Sequence, residues 1–194
     1  MRIDIVQGDI TSRPVDAIVN AANSSLLGGA GVDGAIHKAA GPELLKACRG
    51  LRSGELQDGL VVGAAVATPG FRLPAKWVIH TVGPNRHAGQ TSPVLLASCF
   101  TVSLRIADGL GARSLAFPAV GAGAYGWDAR QVAQVAIEAV RGYGARQADA
   151  GTPGVELVEF VLFSEDVAQV SATCWTASGL RSAPVCCGIP PVFP

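Results

Sequence analysis

The feature that most constrains this chain is a strand, glycine loop and helix pattern that occurs twice. The apolar run Ala17–Val19 leads through Asn20-Ala21-Ala22-Asn23 into Gly28-Gly29-Ala30-Gly31-Val32-Asp33-Gly34, and helical spacing follows. Farther on, the run Ser114–Pro118 leads into Gly121-Ala122-Gly123-Ala124-Tyr125-Gly126, and a second helical pattern begins near Asp128. Glycine lets the backbone turn sharply and present its N–H groups to an anion with no Cβ in the way. A helix opening just behind such a loop adds its positive dipole end. The same geometry also serves as a plain connector, so from its residues alone each loop has two readings.

The rest of the chain repeats the alternation. Apolar, β-branched runs predict strands at Ile3–Val6, Val61–Ala67, Trp77–Val82 and Val155–Phe163. Val132, Val135, Ala136, Ala139, Val140 and Tyr143 line one helical face, and Asp128 with Gln131 suggests a capping box in front of it. Ser92-Pro93 reads as the start of another helix, ending near Gly109. Shorter helices fit Asp33–Ala40 and Pro42–Leu51, broken at Gly41-Pro42, and a last one fits Asp166–Trp175. Strands separated by helices predict an α/β sheet with helices on both faces. The domain is expected to span residues 1–175. Residues 176–194, with four prolines, the single charge Arg181 and no sustained period, read as an irregular tail.

Composition narrows the function. A chain of 194 residues with 49% hydrophobic and 15% charged residues, against about 25% charged in a typical domain, is not a disordered one. Fifteen basic and fifteen acidic residues cancel. No footprint for duplex nucleic acid or an anionic membrane results, and a phosphate-bearing ligand has to be held by local groups. No run of 18 apolar residues exists, so no membrane span is expected, and Met1-Arg2-Ile3-Asp4-Ile5-Val6 reads as a strand rather than a signal peptide. Cys48, Cys99, Cys174, Cys186 and Cys187 show neither CxxC nor Cys/His spacing. They are expected to be reduced thiols of a cytoplasmic protein, and nothing requires a disulfide between the adjacent Cys186 and Cys187.

Gly121–Gly126 spells GxGxxG between a strand and a helix, the context of a dinucleotide fingerprint. Only one further strand and helix follow it, and the acidic ribose ligand expected about 20 residues on is missing. Glu165 and Asp166 come later, and there is no Walker A loop. Around the first loop, Asn20, Asn23 and Asp33 form a polar constellation whose amides suit sugar hydroxyls. A carboxylate about 6 Å from a phosphate is repelled by roughly 1–3 kcal/mol at intermediate dielectric, so Asp33 needs a task. One task is chemistry and the other is capping the short helix. His37 lies four residues beyond Asp33 and could share its helix face, but without a third ligand nearby it reads as structural rather than metal-binding. No Ser-His-Asp order, GxSxG elbow or activated cysteine is present.

Taken in order, Gly8-Asp9-Ile10-Thr11, Val15-Asp16-Ala17-Ile18-Val19-Asn20-Ala21-Ala22-Asn23, Gly28–Gly34 with Ala35-Ile36-His37, His80-Thr81-Val82-Gly83-Pro84, and Phe117-Pro118-Ala119 through Tyr125-Gly126 resemble the macrodomain family in its MacroD-type ADP-ribosyl hydrolase branch. The resemblance covers about residues 1–175. It implies a three-layer α/β/α sandwich around a mixed, mainly parallel six-stranded sheet, with ADP-ribose in a cleft at the strand ends. By similarity, Asp9 would meet the adenine amino group with support from the Ile10 backbone, and Phe163 would neighbour the base. Gly28, Gly29, Ala30, Gly31 and Val32 would embrace the diphosphate from one side, and Gly121, Ala122, Gly123, Ala124 and Tyr125 from the other. Asn20, Asn23 and Asp33 would surround the distal ribose and carry the catalysis, with no metal and no cofactor. Two departures stand out. Ala30 replaces a usual Gly, which matters if φ is positive there. Gly121-Ala122-Gly123 stands where this branch commonly has Ser-Thr-Gly or Ser-Ala-Gly, leaving backbone donors alone.

Three function classes follow. The first is a hydrolase that releases ADP-ribose from ester linkages on Asp or Glu side chains and from O-acetyl-ADP-ribose, probing ADP-ribosylated proteins as a monomer. The second is a non-catalytic ADP-ribose reader, and the third a nicotinamide-dependent dehydrogenase. Retention of Asn20, Asn23 and Asp33 favours the hydrolase.

Overall fold

The computed structural model describes residues 1–151 and 154–163, so the helix expected at Asp166–Trp175, the tail at 176–194 and Cys174, Cys186 and Cys187 lie outside the described residues. Six strands form one sheet: β1 (Arg2–Gln7), β2 (Ala17–Ala22), β3 (Ala65–Pro69), β4 (Trp77–Val82), β5 (Ser114–Phe117) and β6 (Leu157–Leu162). Their spatial order is β1-β6-β5-β2-β4-β3. Every pairing is parallel except that of the edge strand β3 with β4. Helices α1 (Gly31–Ala40) and α2 (Pro42–Ser53) cover one face, and α3 (Pro93–Gly109) and α4 (Ala129–Ala150) cover the other.

Side chains on a strand alternate between faces, and both faces here are buried. Ala17, Val19, Leu115, Phe117, Val158 and Phe160 join the core under α3 and α4, where Phe100, Phe117 and Phe160 pack ring against ring. Ile18, Val78, Ala116 and Val161 join Ile36 and Leu44 under α1 and α2. The period of two therefore sends Asn20 and His80, in step with Ile18 and Val78, toward the α1 face, where both are fully buried. No described helix is long and apolar enough to cross a membrane.

The differences from the sequence expectations are local. The strand expected at Val61–Ala67 starts at Ala65, because Gly63 at φ +82° and the Ala64 N–H donating to the Val61 carbonyl make a turn first. β2 runs past Val19 to Ala22, so Asn20 lies inside the strand rather than at its end. The α1 helix begins at Gly31, two residues earlier than expected, and its N-cap is Ala30, which makes no side-chain capping bond. Asp33 is thus in the first turn and is no cap. Asp128 does cap α4, accepting from the N–H groups of Arg130 (3.0 Å) and Gln131 (3.1 Å). The Gln131 side chain instead accepts from Arg86 (2.7 Å), so a full capping box does not form.

One ion pair ties the start of the chain to the sheet. Arg13, which ends a 3-10 turn over Ile10–Ser12, donates from Nε and Nη2 to the two carboxylate oxygens of Glu159 on β6, both at 2.8 Å. Glu159 is only 6% exposed, so removing the guanidinium strands a carboxylate. Arg13→Ala is expected to lower unfolding free energy by about 2–4 kcal/mol, near the range for breaking a buried pair and reduced because Arg13 is partly solvated. Urea unfolding measures it, and a loss under about 0.5 kcal/mol would place this bridge among ordinary surface pairs.

Candidate active site

The parallel strands β1, β2, β5 and β6 end at the same edge of the sheet, and the chemistry-bearing loops leave from there. In open α/β sheets the crevice outside the carboxyl ends of the strands is where ligands bind. β1 runs into Gly8, Asp9 and Ile10, β2 into Asn23 and the first glycine loop, β5 into the second, and β6 into Phe163.

The first loop is built by Asn23. Its Nδ2 donates to the Gly28 carbonyl (3.0 Å), and its Oδ1 accepts from the Ser25 N–H (3.0 Å) and hydroxyl (2.6 Å). Between them Leu26 is held in the left-handed region at φ +59° with its side chain buried, an uncommon and strained conformation for leucine. Gly28 (φ +86°) and Gly31 (φ +63°) need to lack a Cβ, because the left-handed region disfavours other residues. Ala30 does not: at φ −94° and ψ 178° it sits in ordinary extended backbone, so the departure at this position carries no strain. Gly34 is required for a different reason. A Cβ there would lie 2.5 Å from the Gly29 carbonyl oxygen, where the loop folds back on α1.

Asp33 occupies the centre. It is 4% exposed, and its Oδ1 accepts from Asn20 Nδ2 at 2.7 Å. Its Oδ2 faces Gly29, where a Cβ would come within 2.9 Å of it. His37 Nε2 stands 3.5 Å from Oδ1, within ion-pair reach but without hydrogen-bond geometry. On the far side of Asn20 is His80, its partner in the β2–β4 register, with Nδ1 3.1 Å from the same Nδ2. His80 Nε2 meets the Thr68 hydroxyl on β3 at 2.9 Å and Cys48 Sγ at 3.9 Å. Burial, reinforced by the neighbouring His37, depresses His80 from the usual histidine range to about 3. Burial, then the Asp33 charge, raises the Cys48 thiol to about 11, so it is not a nucleophile at neutral pH.

The second loop closes the crevice from the β5 side. Gly121 (φ +88°) and Gly126 (φ +72°) shape it, and the segment after β4 braces it. The Arg86 N–H donates to the Tyr125 carbonyl (2.9 Å), the Arg86 guanidinium lies 5.0 Å over the Trp127 ring, and Trp127 Nε1 donates to the Pro84 carbonyl (2.8 Å). Burial, then the negative charge of Asp33, raises the half-buried Tyr125 phenol, which sets the two loops face to face. Ala122 is half-buried and Ala124 exposed; Gly123 is exposed too, and a Cβ there would meet nothing within 4 Å.

Asp9 and Phe163 follow the ends of the paired strands β1 and β6, where the Gly8 N–H donates to the Leu162 carbonyl at 3.1 Å. Asp9 Oδ1 accepts from the Thr11 N–H and hydroxyl, both at 2.8 Å, which caps the turn that buries Ile10. Phe163 is 90% exposed. The residues singled out in the sequence thus fall into three groups along the carboxyl edge of the parallel strands: Asp9, Ile10 and Phe163 at the β1–β6 end, Gly121 to Tyr125 after β5, and Gly28 to Val32 with Asn20, Asn23 and Asp33 at and after β2. Among the described residues no group of three or more His, Cys, Asp or Glu is placed to hold a metal ion.

Comparison with known proteins agrees with this geometry. Residues 19–136 match the Macro domain family model. The chain belongs to the macrodomain family. It is 53% identical over 161 residues to a macro domain-containing protein of Streptomyces griseus, covering 83% of this chain and 87% of that one. It is 46% identical over 179 residues to the O-acetyl-ADP-ribose deacetylase of Salmonella gallinarum, covering 92% and 96%. A macrodomain of Oceanobacillus iheyensis solved with ADP superposes with a TM-score of 0.82 at 40% identity, covering 88% of each chain.

The sequence gives His80 a place in a family motif but no role, offers no signal for Thr68 or Arg86, and makes His37 read as structural. The macrodomain strand register brings His80 to Asn20 across 60 positions of sequence, and the only available signal was a histidine in an otherwise apolar strand. The neutral His80 has a consequence for stability. Its folded pKa lies below the unfolded value of roughly 6.5, so below pH 6.5 the unfolded chain takes up a proton that the folded one excludes. The contribution is full above that pH and is lost as pH falls toward 3, at about 1.4 kcal/mol per unit. Between pH 7 and 5 the wild type is expected to lose about 2 kcal/mol more than His80→Asn in urea unfolding. Equal losses would mean that His80 titrates normally.

Proposed function

We propose that this macrodomain binds ADP-ribose and hydrolyses ester-linked ADP-ribose, on O-acetyl-ADP-ribose and on modified Asp or Glu side chains, with water oriented by Asp33. The observation that carries this reading is a buried carboxylate that caps no helix and lies between two glycine loops. The Salmonella relative's name as an O-acetyl-ADP-ribose deacetylase supports the substrate class, and the Oceanobacillus structure with ADP supports the nucleotide part of the ligand.

The residues divide the ligand by chemistry. The free oxygen of Asp9 and the exposed ring of Phe163 suit the amino group and face of adenine. The first turn of α1, with no side chain capping it, offers unsatisfied N–H groups to a diphosphate, as does the second loop. Backbone dipoles thus hold a dianion on a chain with no net charge. Asn20 reaches the distal ribose, Asn23 fixes the loop beneath it, and Tyr125 covers it. Asp33, with Oδ2 turned to the loop, accepts a hydrogen bond from water and aims it at the ester. The reading invokes no covalent enzyme intermediate: Cys48 is protonated at neutral pH, and among the described residues no activated hydroxyl adjoins Asp33.

Three variants test this. Asp33→Ala is expected to slow turnover about 10²–10⁴-fold, the usual cost of losing a positioned base, while ADP-ribose affinity is kept or improved because a like charge is gone. Asn20→Ala is expected to weaken both binding and turnover. Gly123→Val is expected to fold normally, given the open space there, and to lose ADP-ribose binding in calorimetry because its side chain occupies the phosphate path. Near-normal turnover in Asp33→Ala overturns the catalytic reading. Binding without release of label from a glutamate-linked ADP-ribosylated protein identifies a reader instead, and a preference for reduced nicotinamide dinucleotide a dehydrogenase.

A further inference from the structure

We infer that His80 is a positioning residue for this chemistry: its Nδ1 accepts from the Asn20 amide and fixes the sense in which that amide faces Asp33. The inference rests on the hydrolase reading for its effect on rate, and on geometry alone for its structural content.

The argument is one of donors and acceptors. An ionised carboxylate only accepts, so the 2.7 Å contact with Asp33 Oδ1 requires the Asn20 NH2 on that side. The same nitrogen lies 3.1 Å from His80 Nδ1, which must therefore accept the second amide hydrogen. The imidazole proton is then on Nε2, which donates a hydrogen bond to the Thr68 hydroxyl oxygen at 2.9 Å. The opposite tautomer would set Nδ1–H against an NH2 group. Flipping the amide to relieve that clash would set Asn20 Oδ1 against the carboxylate. One proton arrangement satisfies the whole row Thr68–His80–Asn20–Asp33. With both amide hydrogens committed, Asn20 Oδ1 is left buried and without a hydrogen-bond partner among the described residues, an acceptor that on the proposed reading would serve a hydroxyl donor of the bound ribose. Asn20 and His80 are register partners on adjacent strands, so the backbone itself sets their contact. The other titratable groups facing His80 are His37, with ring centroids 6.4 Å apart, and Cys48.

Nitrogen-15 NMR of the ligand-free protein at neutral pH tests the structural half. His80 Nδ1 is expected to show the shift of an unprotonated ring nitrogen and Nε2 that of a protonated one; the reverse overturns the inference. The functional half uses His80→Leu, His80→Asn and His80→Gln, with kcat and KM for O-acetyl-ADP-ribose and ADP-ribose affinity by calorimetry. His80→Leu is expected to lose about 10–100-fold, chiefly in kcat, the scale on which misplaced groups cost rate, and to bind ADP-ribose more weakly. His80→Asn, whose oxygen falls near the Nδ1 position, is expected to recover most of both, and His80→Gln, which reaches toward Nε2, is not. Unchanged kcat and affinity in folded His80→Leu, or equal rescue by Asn and Gln, overturns the inference. If His80→Leu fails to fold, Thr68→Val replaces it: it removes the Nε2 partner at nearly constant volume and is expected to admit the second tautomer in the spectrum and lower kcat. An unchanged spectrum and unchanged kcat in Thr68→Val count against the inference. Absence of turnover in the wild type would sink the hydrolase reading alone, because the tautomer and the Leu-against-Asn affinities still decide the role of His80.

Discussion

A buried carboxylate needs a donor, and the bond from Asn20 to Asp33 is the contact around which the crevice is arranged. Stranding such a group costs about 1–3 kcal/mol or more, a large part of a typical domain stability of roughly 5–15 kcal/mol. Four local features serve that bond. β2 has to continue past Val19 to bring Asn20 under α1. α1 has to begin at Gly31, which places Asp33 in its first turn instead of ahead of it. Gly34 has to lack a Cβ so that the Gly29 carbonyl can close over the helix. Asn23 has to bond to Gly28 through its Nδ2 and to Ser25 through its Oδ1, which holds the loop that the carboxylate faces.

Much of this was legible in the sequence. Both glycine loops, the order of strands and helices, and the group of Asn20, Asn23 and Asp33 could be read from periodicity and motif order. What escaped the reading has definite causes. The start of α1 is not legible because the N-cap is Ala30, and an alanine gives no capping signal. The turn before β3 is hidden because Val61 and Val62 look like strand, while Gly63 decides the matter with a positive φ. The bracing of the second loop by Arg86 and the pairing of His80 with Asn20 depend on strand register, which no local pattern encodes. The tail and the last expected helix lie outside the described residues.

The two glycine loops also use glycine differently. In the first, the left-handed Gly28 and Gly31 and the crowded Gly34 are there for the fold of the loop itself. In the second, Gly121 and Gly126 shape the turn, and a Cβ at Gly126 would run into the His87 ring. A Cβ at Gly123 would meet nothing within 4 Å, so among the described residues its lack of a side chain has no packing explanation. Space kept open toward the crevice supplies one. A loop that lacks hydroxyl donors, as this one does at Gly121-Ala122, must bring its backbone N–H groups close to an anion, and an unobstructed residue 123 permits that approach.

The row of polar groups behind the crevice explains why an edge strand matters to a site it does not border. Among the described residues β3 pairs with β4 alone and runs against the direction of the others, and on packing grounds alone it is an ordinary sheet edge. Yet it carries Thr68, and the chain of contacts from Thr68 through His80 and Asn20 to Asp33 crosses β3, β4 and β2 before reaching α1. In a layer of low dielectric each contact in such a row is strengthened by its neighbours, and each gap is costly. Side chains mounted on paired strands hold their positions more closely than those on loops. The carboxylate is therefore referenced to the rigid sheet and not only to the glycine loops on either side of it.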